Sequence, residues 1–181
     1  MSLGPLLAPW KGEALRHIPK GSPYGPLDFR FAGLATDNRW NYPGERTLYL
    51  GKDRGVVVGE FSRHLQERRA PLAARQIVAR QIFRLHLEID RMLDLASPEV
   101  RSALSLPSDP ACFPGIDYAR ATAHYIRVTT QAQGLIVPSM CFLDDVSRWC
   151  MVLFLEKLPP DPHDYVRAVD DWGELHLTDP A

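Results

Sequence analysis

Apolar positions recur along this chain with two periods. Residues 81–89 (QIFRLHLEI) show the clearest period of two: Phe83, Leu85, Leu87 and Ile89 alternate with Arg84, His86 and Glu88, which predicts a half-buried strand. A shorter alternation in LDFRFAG predicts a strand over 27–33, and RTLYLG predicts another over 46–51. The runs LIVPS (135–139) and CMVLFLEK (150–157) read as buried strands, and a weak strand is expected near 174–178. The helical period appears in residues 53–69, where Val57, Phe61 and Leu65 recur every four positions behind Asp53, a natural N-cap. Ser97-Pro98-Glu99 opens a short helix over 98–104. A third helix is expected over 117–133, with Ala121, Tyr125 and Val128 along one side and Gly134 as its stop.

Pro and Gly cluster in residues 4–26, so residues 1–26 read as an irregular arm laid over a domain of residues 27–181. Turn formers fill 35–45, and three prolines make 105–116 a loop. Strands and helices mix without regular βαβ alternation. The pattern therefore predicts a single compact α+β domain, with mixed or antiparallel sheets and flanking helices, rather than a doubly wound parallel sheet.

Composition narrows the function. A chain of 181 residues, 45% hydrophobic and 24% charged, suits one soluble domain with a real core. Its formal net charge of −1 offers no basic surplus for a phosphate backbone, so direct nucleic-acid binding is not expected. No apolar run is long enough to span a membrane, and the start lacks the layout of a secretory signal, so a cytoplasmic protein is expected. Cys112, Cys141 and Cys150 form no C-x-x-C pair and read as reduced, mostly packing thiols. The six histidines show no metal-ligand spacing, and no metal site is expected. The string GERTLYLGK has the wrong glycine spacing for a phosphate loop, and there is no G-x-G-x-x-G and no G-x-S-x-G elbow.

An ordered set of polar and aromatic residues remains. Arg30 interrupts an apolar stretch, Arg39-Trp40-Asn41 sits in a Pro/Gly-rich loop, and Tyr49 lies inside the next strand. Glu60 follows Gly59 one step off the Val57–Phe61 stripe, and Ser139 closes an apolar strand after a proline. Each has an ordinary alternative: Arg30 as a surface arginine, Arg39 as a carbonyl ligand, Trp40 and Tyr49 as packing residues, Glu60 as a solvated helix residue and Ser139 as a strand-end cap.

Taken in order, FRFAG, RWNYPGERTLYLG, VVVGEF and QGLIVPS resemble the RES-domain family, named for its Arg, Glu and Ser, over roughly residues 28–157. The resemblance implies a fold related to ADP-ribosyltransferases. It also implies an enzyme that consumes NAD⁺ at the nicotinamide ribose by phosphorolysis or hydrolysis, often as the toxin encoded beside an Xre-type antitoxin. Transfer of ADP-ribose to a protein, and a non-catalytic protein-binding module, stay open as alternatives.

On this reading Glu60 stabilises the oxocarbenium-like centre or holds a ribose hydroxyl. Arg30 and Arg39 take the pyrophosphate, one of them also an incoming phosphate. Tyr49, or after it Trp40, walls the nicotinamide. Ser139 bonds the ribose or the carboxamide, and Tyr118 is a further substrate contact. No cofactor is implied beyond NAD⁺ as substrate, with inorganic phosphate as an optional co-substrate. Relatives often carry Tyr after the first arginine; this chain has Phe31 there. Oligomeric state stays open, a homodimer included.

Overall fold

The strongest alternating segment builds the longest strand, and the rest of the sheet is arranged around it. The computed structural model describes residues 3–67, 79–109, 112–113 and 115–175. Its strands are β1 (Ala8–Pro19), β2 (Thr47–Gly51), β3 (Arg80–Asp94), β4 (Gly134–Pro138), β5 (Trp149–Phe154) and β6 (Val166–Leu175). Its helices are α1 (Arg54–Glu67), α2 (Pro98–Ala103) and α3 (Ile116–Thr129). The sheet order is β1-β2-β5-β4-β3-β6, and β1 also pairs with β3, so the first five strands close into a ring with β6 outside it. Among the described residues, only β3 and β4 run parallel. This is a single compact α+β domain with a mixed sheet.

Alternation sorts side chains to the two faces of the ring. Ala14, Leu48, Leu50, Leu85, Leu87, Met151 and Leu153 fill its interior. Outside, Ala119, Ala123 and Ile126 of α3 pack on Leu135, Val137, Val152 and Phe154. Val57, Val58 and Phe61 of α1 pack on Leu15 and Ile82. Each fully buried aliphatic side chain contributes about 1.5–3 kcal/mol. Closure is uneven. β1 pairs with β3 along almost its whole length, yet meets β2 only at Leu15↔Gly51. A seam therefore opens between β1 and β2, and α1 lies over it.

Several expectations hold. The Asp53 carboxylate accepts from the Val56 N–H at 2.9 Å and starts α1, and the Ser97 side chain accepts from Val100 N–H to start α2.

Others are corrected. The expected irregular arm of residues 1–26 contains β1: Pro9 and Pro19 bracket a proline-free run, Trp10 to Ile18, that pairs along β3. Residues 27–33 form turns rather than a strand. The Asp28 carboxylate accepts from the Arg30 N–H at 3.1 Å, and Arg16 binds the Asp28 carbonyl at 3.1 Å, so local turn bonding overrides the alternation. On α3 the expected inner residues face out, Tyr125 at 55% and Val128 at 62% exposure, while Ala119, Thr122, Ala123 and Ile126 are buried. That helix ends at Thr129, where the Thr129 and Thr130 hydroxyls bond back to Tyr125 and Ile126 carbonyls. The final strand begins at Val166, on a largely exposed segment without an apolar stripe, and residues 176–178 of the expected strand lie outside the described residues.

Gly134 does not cap α3; it opens β4. A Cβ there would sit 2.7 Å from the Val152 carbonyl oxygen and 2.7 Å from Leu153 Cδ2. Gly134→Ala is expected to destabilise the fold by about 2 kcal/mol through overpacking, read as a lower urea midpoint at unchanged m-value.

Candidate functional site

The seam and the helix above it enclose a cavity of about 460 Å³, within the range of about 300–1,000 Å³ common for small-ligand sites. Leu15 and His17 of β1, Tyr49 to Gly51 of β2, Glu60, Phe61, Arg63 and His64 of α1, and Arg80 of β3 line it. The loop residues Asp37 to Trp40 and Pro138, Met140 and Cys150 complete the wall.

Glu60 stands where α1 approaches the end of β4. Its predecessor Gly59 permits that approach: a Cβ there would lie 3.1 Å from Cys141 Cβ. Both oxygens of the Glu60 carboxylate are held. Oε1 accepts from the Ser139 hydroxyl and from the Met140 backbone N–H, each at 2.7 Å. Oε2 accepts from Arg63, one helical turn on, at 2.9 Å. Ser139 is buried, and its hydroxyl also accepts from the Cys141 N–H at 3.3 Å. Ser139 thus fixes the carboxylate in place.

Tyr49 works similarly on the loop. Its hydroxyl accepts from the Trp40 N–H at 3.0 Å and donates to Asn41 Oδ1 at 2.7 Å. Burial holds that phenol well above its ordinary pKa, so it stays neutral. Its ring faces the cavity while its hydroxyl pins the loop. Trp40 touches the cavity but is mostly packed, edge-on to Phe113. Arg39 lines the cavity and donates to the Phe113 carbonyl at 3.0 Å.

Two proposed site residues are not brought to this cavity. Arg30 is on the exposed turn, paired with Asp28 at 2.7 Å and lying over the Tyr24 ring, with Phe31 beside it at 57% exposure. Tyr118 is exposed and stacks on Phe113, at the start of a helix of which Ile116 lines the cavity. Conversely, the motifs missed His17, Arg63 and Arg80. Arg63 was recoverable from its spacing to Glu60 on a helix. His17 and Arg80 carry no sequence signal, because only the β1–β3 pairing brings them together.

The cavity carries three guanidinium groups, on Arg39, Arg63 and Arg80, against the carboxylates of Asp37 and Glu60. Burial and the neighbouring Arg80, Arg16 and His64 push the His17 pKa down to about 3, so its ring is neutral near pH 7. Burial raises the Cys141 thiol to about 11, and burial with the nearby Glu60 holds Cys150 well above its usual range, so neither is poised as a nucleophile. The cavity is suited to an anionic ligand that places an electron-poor centre against Glu60.

The sequence matches the family model for the RES domain over residues 14–175, nearly the whole described chain. No curated protein matches it. Among solved structures it resembles a chain of the crystal structure of the M. tuberculosis MbcT–MbcA toxin–antitoxin complex. The TM-score is 0.65 and the identity 18%, with 92% of this chain and 87% of that chain covered. At that identity the likeness speaks to the fold, and it agrees with the architecture above.

The depressed His17 pKa has a stability consequence. The unfolded chain takes up a proton on this histidine below about pH 6.5, while the folded chain resists until about pH 3. Its contribution is therefore complete above the unfolded pKa and is lost as pH falls toward the folded one. Between pH 7 and pH 5, urea unfolding is expected to show the native chain losing up to about 2 kcal/mol more than His17→Asn.

Proposed function

The chain belongs to the RES-domain family, and on that premise we propose that it degrades NAD⁺ by breaking the bond between nicotinamide and ribose, as the toxin of a toxin–antitoxin pair. One observation carries the reading most: a carboxylate held at both oxygens, Glu60, faces a cavity with three arginines.

The chemistry follows from that arrangement. The C1′–N bond of the nicotinamide ribose breaks heterolytically, its electron pair goes to the ring, and nicotinamide leaves neutral. The ribosyl carbon becomes electron-poor. Glu60, already oriented by Ser139, Met140 and Arg63, offers negative charge to it without having to reorganise. The Tyr49 ring gives the nicotinamide a flat wall, and Arg39 neutralises pyrophosphate charge. Water or inorganic phosphate then attacks C1′, giving ADP-ribose or its 1-phosphate. NAD⁺ is the substrate here, and no resident cofactor enters the reading. The MbcT–MbcA complex joins a toxin to its antitoxin; by extension, the partner of this chain is an Xre-type antitoxin that covers the cavity in the cytoplasm.

Nicotinamide release from NAD⁺ by purified protein, with and without phosphate, tests the reading. Glu60→Gln is expected to lower kcat by at least about a hundredfold. Ser139→Ala, which loosens the carboxylate without removing it, is expected to cost about tenfold in kcat with KM little changed. Faster release with phosphate identifies a phosphorylase. The absence of release in either buffer would refute NAD⁺ degradation, and label from adenine-labelled NAD⁺ on a protein band would replace it with protein ADP-ribosyl transfer.

A further inference from the structure

The three arginines of the cavity are not equivalent. Arg63 is tied to Glu60 and Arg39 to a backbone carbonyl. Among the described residues no carboxylate pairs with Arg80, and burial alone brings its pKa down to about 10, which leaves it charged at neutral pH. Arg80 is nevertheless well fixed. Its Nε donates to His17 Nδ1 at 2.9 Å, and its guanidinium lies over the Phe61 ring, 5.0 Å from the centroid. All three side chains line the cavity.

A cation drawn partly out of water without a counter-ion costs solvation energy that the His17 bond and the Phe61 ring offset only in part. A ligand anion would offset it. Because Nδ1 accepts from Arg80 and the ring is neutral, the proton of His17 is on Nε2, a second donor that no described residue accepts from. A planar cationic fork held in place by a neutral imidazole suits the oxygens of a phosphoryl group.

The geometry points to Arg80, steered by His17 and backed by Phe61, as a phosphoryl-anion subsite of the cavity. The inference rests on the reading of this cavity as a dinucleotide site, and moves to Arg80 the contact that the sequence motif gave to Arg30. Two sources share the chemistry: the pyrophosphate of the dinucleotide, and free inorganic phosphate.

Calorimetric titration distinguishes them, using ADP-ribose, inorganic pyrophosphate, inorganic phosphate and adenosine as probes. The proteins are the native chain, Arg80→Gln, His17→Phe and His17→Asn, each first shown to be folded by circular dichroism. Should Arg80→Gln fail to fold, Arg80→Lys, which keeps the charge and loses the fork, takes its place. Arg80→Gln is expected to weaken ADP-ribose and pyrophosphate by roughly tenfold or more and to leave any adenosine binding unchanged. His17→Phe is expected to act in the same direction. His17→Asn, whose amide oxygen can stand in for Nδ1, is expected to recover most of the loss.

Weakened inorganic phosphate with unchanged ADP-ribose would also support the subsite and assign it to the free anion. Phosphoryl probes that bind Arg80→Gln as they bind the native chain, or that do not bind the native chain, would overturn it. Arg80-dependent pyrophosphate binding without ADP-ribose binding would keep the subsite and overturn the dinucleotide reading, so the two failures are distinguishable.

Discussion

The single ladder pair between β1 and β2 is the constraint on which the site depends. β1 follows β3 from Pro19 back to Ala8, so its course is set by that long ladder and not by β2. The ring closes only at Leu15↔Gly51. A fully laddered ring of five strands would present a continuous outer wall there, with its interior already filled by side chains. The open seam provides room outside the ring, and α1 covers it with Val56, Val57 and Phe61. The same placement brings Glu60 to the end of β4. Cavity and carboxylate thus follow from one irregularity in the sheet.

Much of this was legible where local chemistry and tertiary packing agree. Asp53 with the Val57–Phe61 stripe marks α1, and the apolar runs mark β4 to within a residue and β5 except at its end, where residues 155–157 of the expected strand form a 3-10 turn. Of the ordered set, Arg39, Tyr49, Glu60 and Ser139 converge in space, Ser139 reaching the cavity through Glu60, and Arg30 does not. What stayed hidden depended on long-range pairing. β1 was masked by the prolines at its ends, since a count of Pro and Gly over 4–26 averages across the clean run between them. Residues 27–33 alternate like a strand, but the bonds of Asp28 and Arg16 make them a turn that plugs the ring with Phe29. Arg30 was drawn with them, and the turn carries it into solvent. On α3, small Ala119 and Ala123 proved the buried positions because the helix packs closely on β4 and β5, which leaves Tyr118 and Tyr125 outside.

Polar residues around the cavity divide between holding the scaffold and facing the ligand, and residue type does not reveal which. Tyr49 has both its donor and its acceptor engaged by Trp40 and Asn41, so what it offers a ligand is its ring. Ser139 is likewise occupied, donating to Glu60 and accepting from Cys141. The sequence reading assigns the Ser139 hydroxyl to the substrate and uses only the ring of Tyr49. The structure gives both hydroxyls to the geometry of their neighbours: Tyr49 holds the buried Trp40–Asn41 corner of the loop, and Ser139 holds the Glu60 carboxylate in the middle of α1.

The charge arrangement gives the converse argument. Folding favours pairing or solvating every charge, and Arg127 does so, buried against Glu156 and Thr47. The cavity departs from that rule on one side only. Glu60 is held at both oxygens, so its negative charge is fixed in direction, whereas Arg80 is fixed in direction by His17 and, among the described residues, pairs with no carboxylate. Preorganisation without neutralisation lowers the stability of the free protein and raises its affinity for a ligand of the opposite sign. A ligand with an anionic linker and a cationic ring would meet both demands at once, with the linker at the Arg80 guanidinium and the ribosyl carbon that bears the ring near the fixed carboxylate. The positions of these two residues on α1 and β3 therefore constrain the ligand more tightly than either residue type could alone.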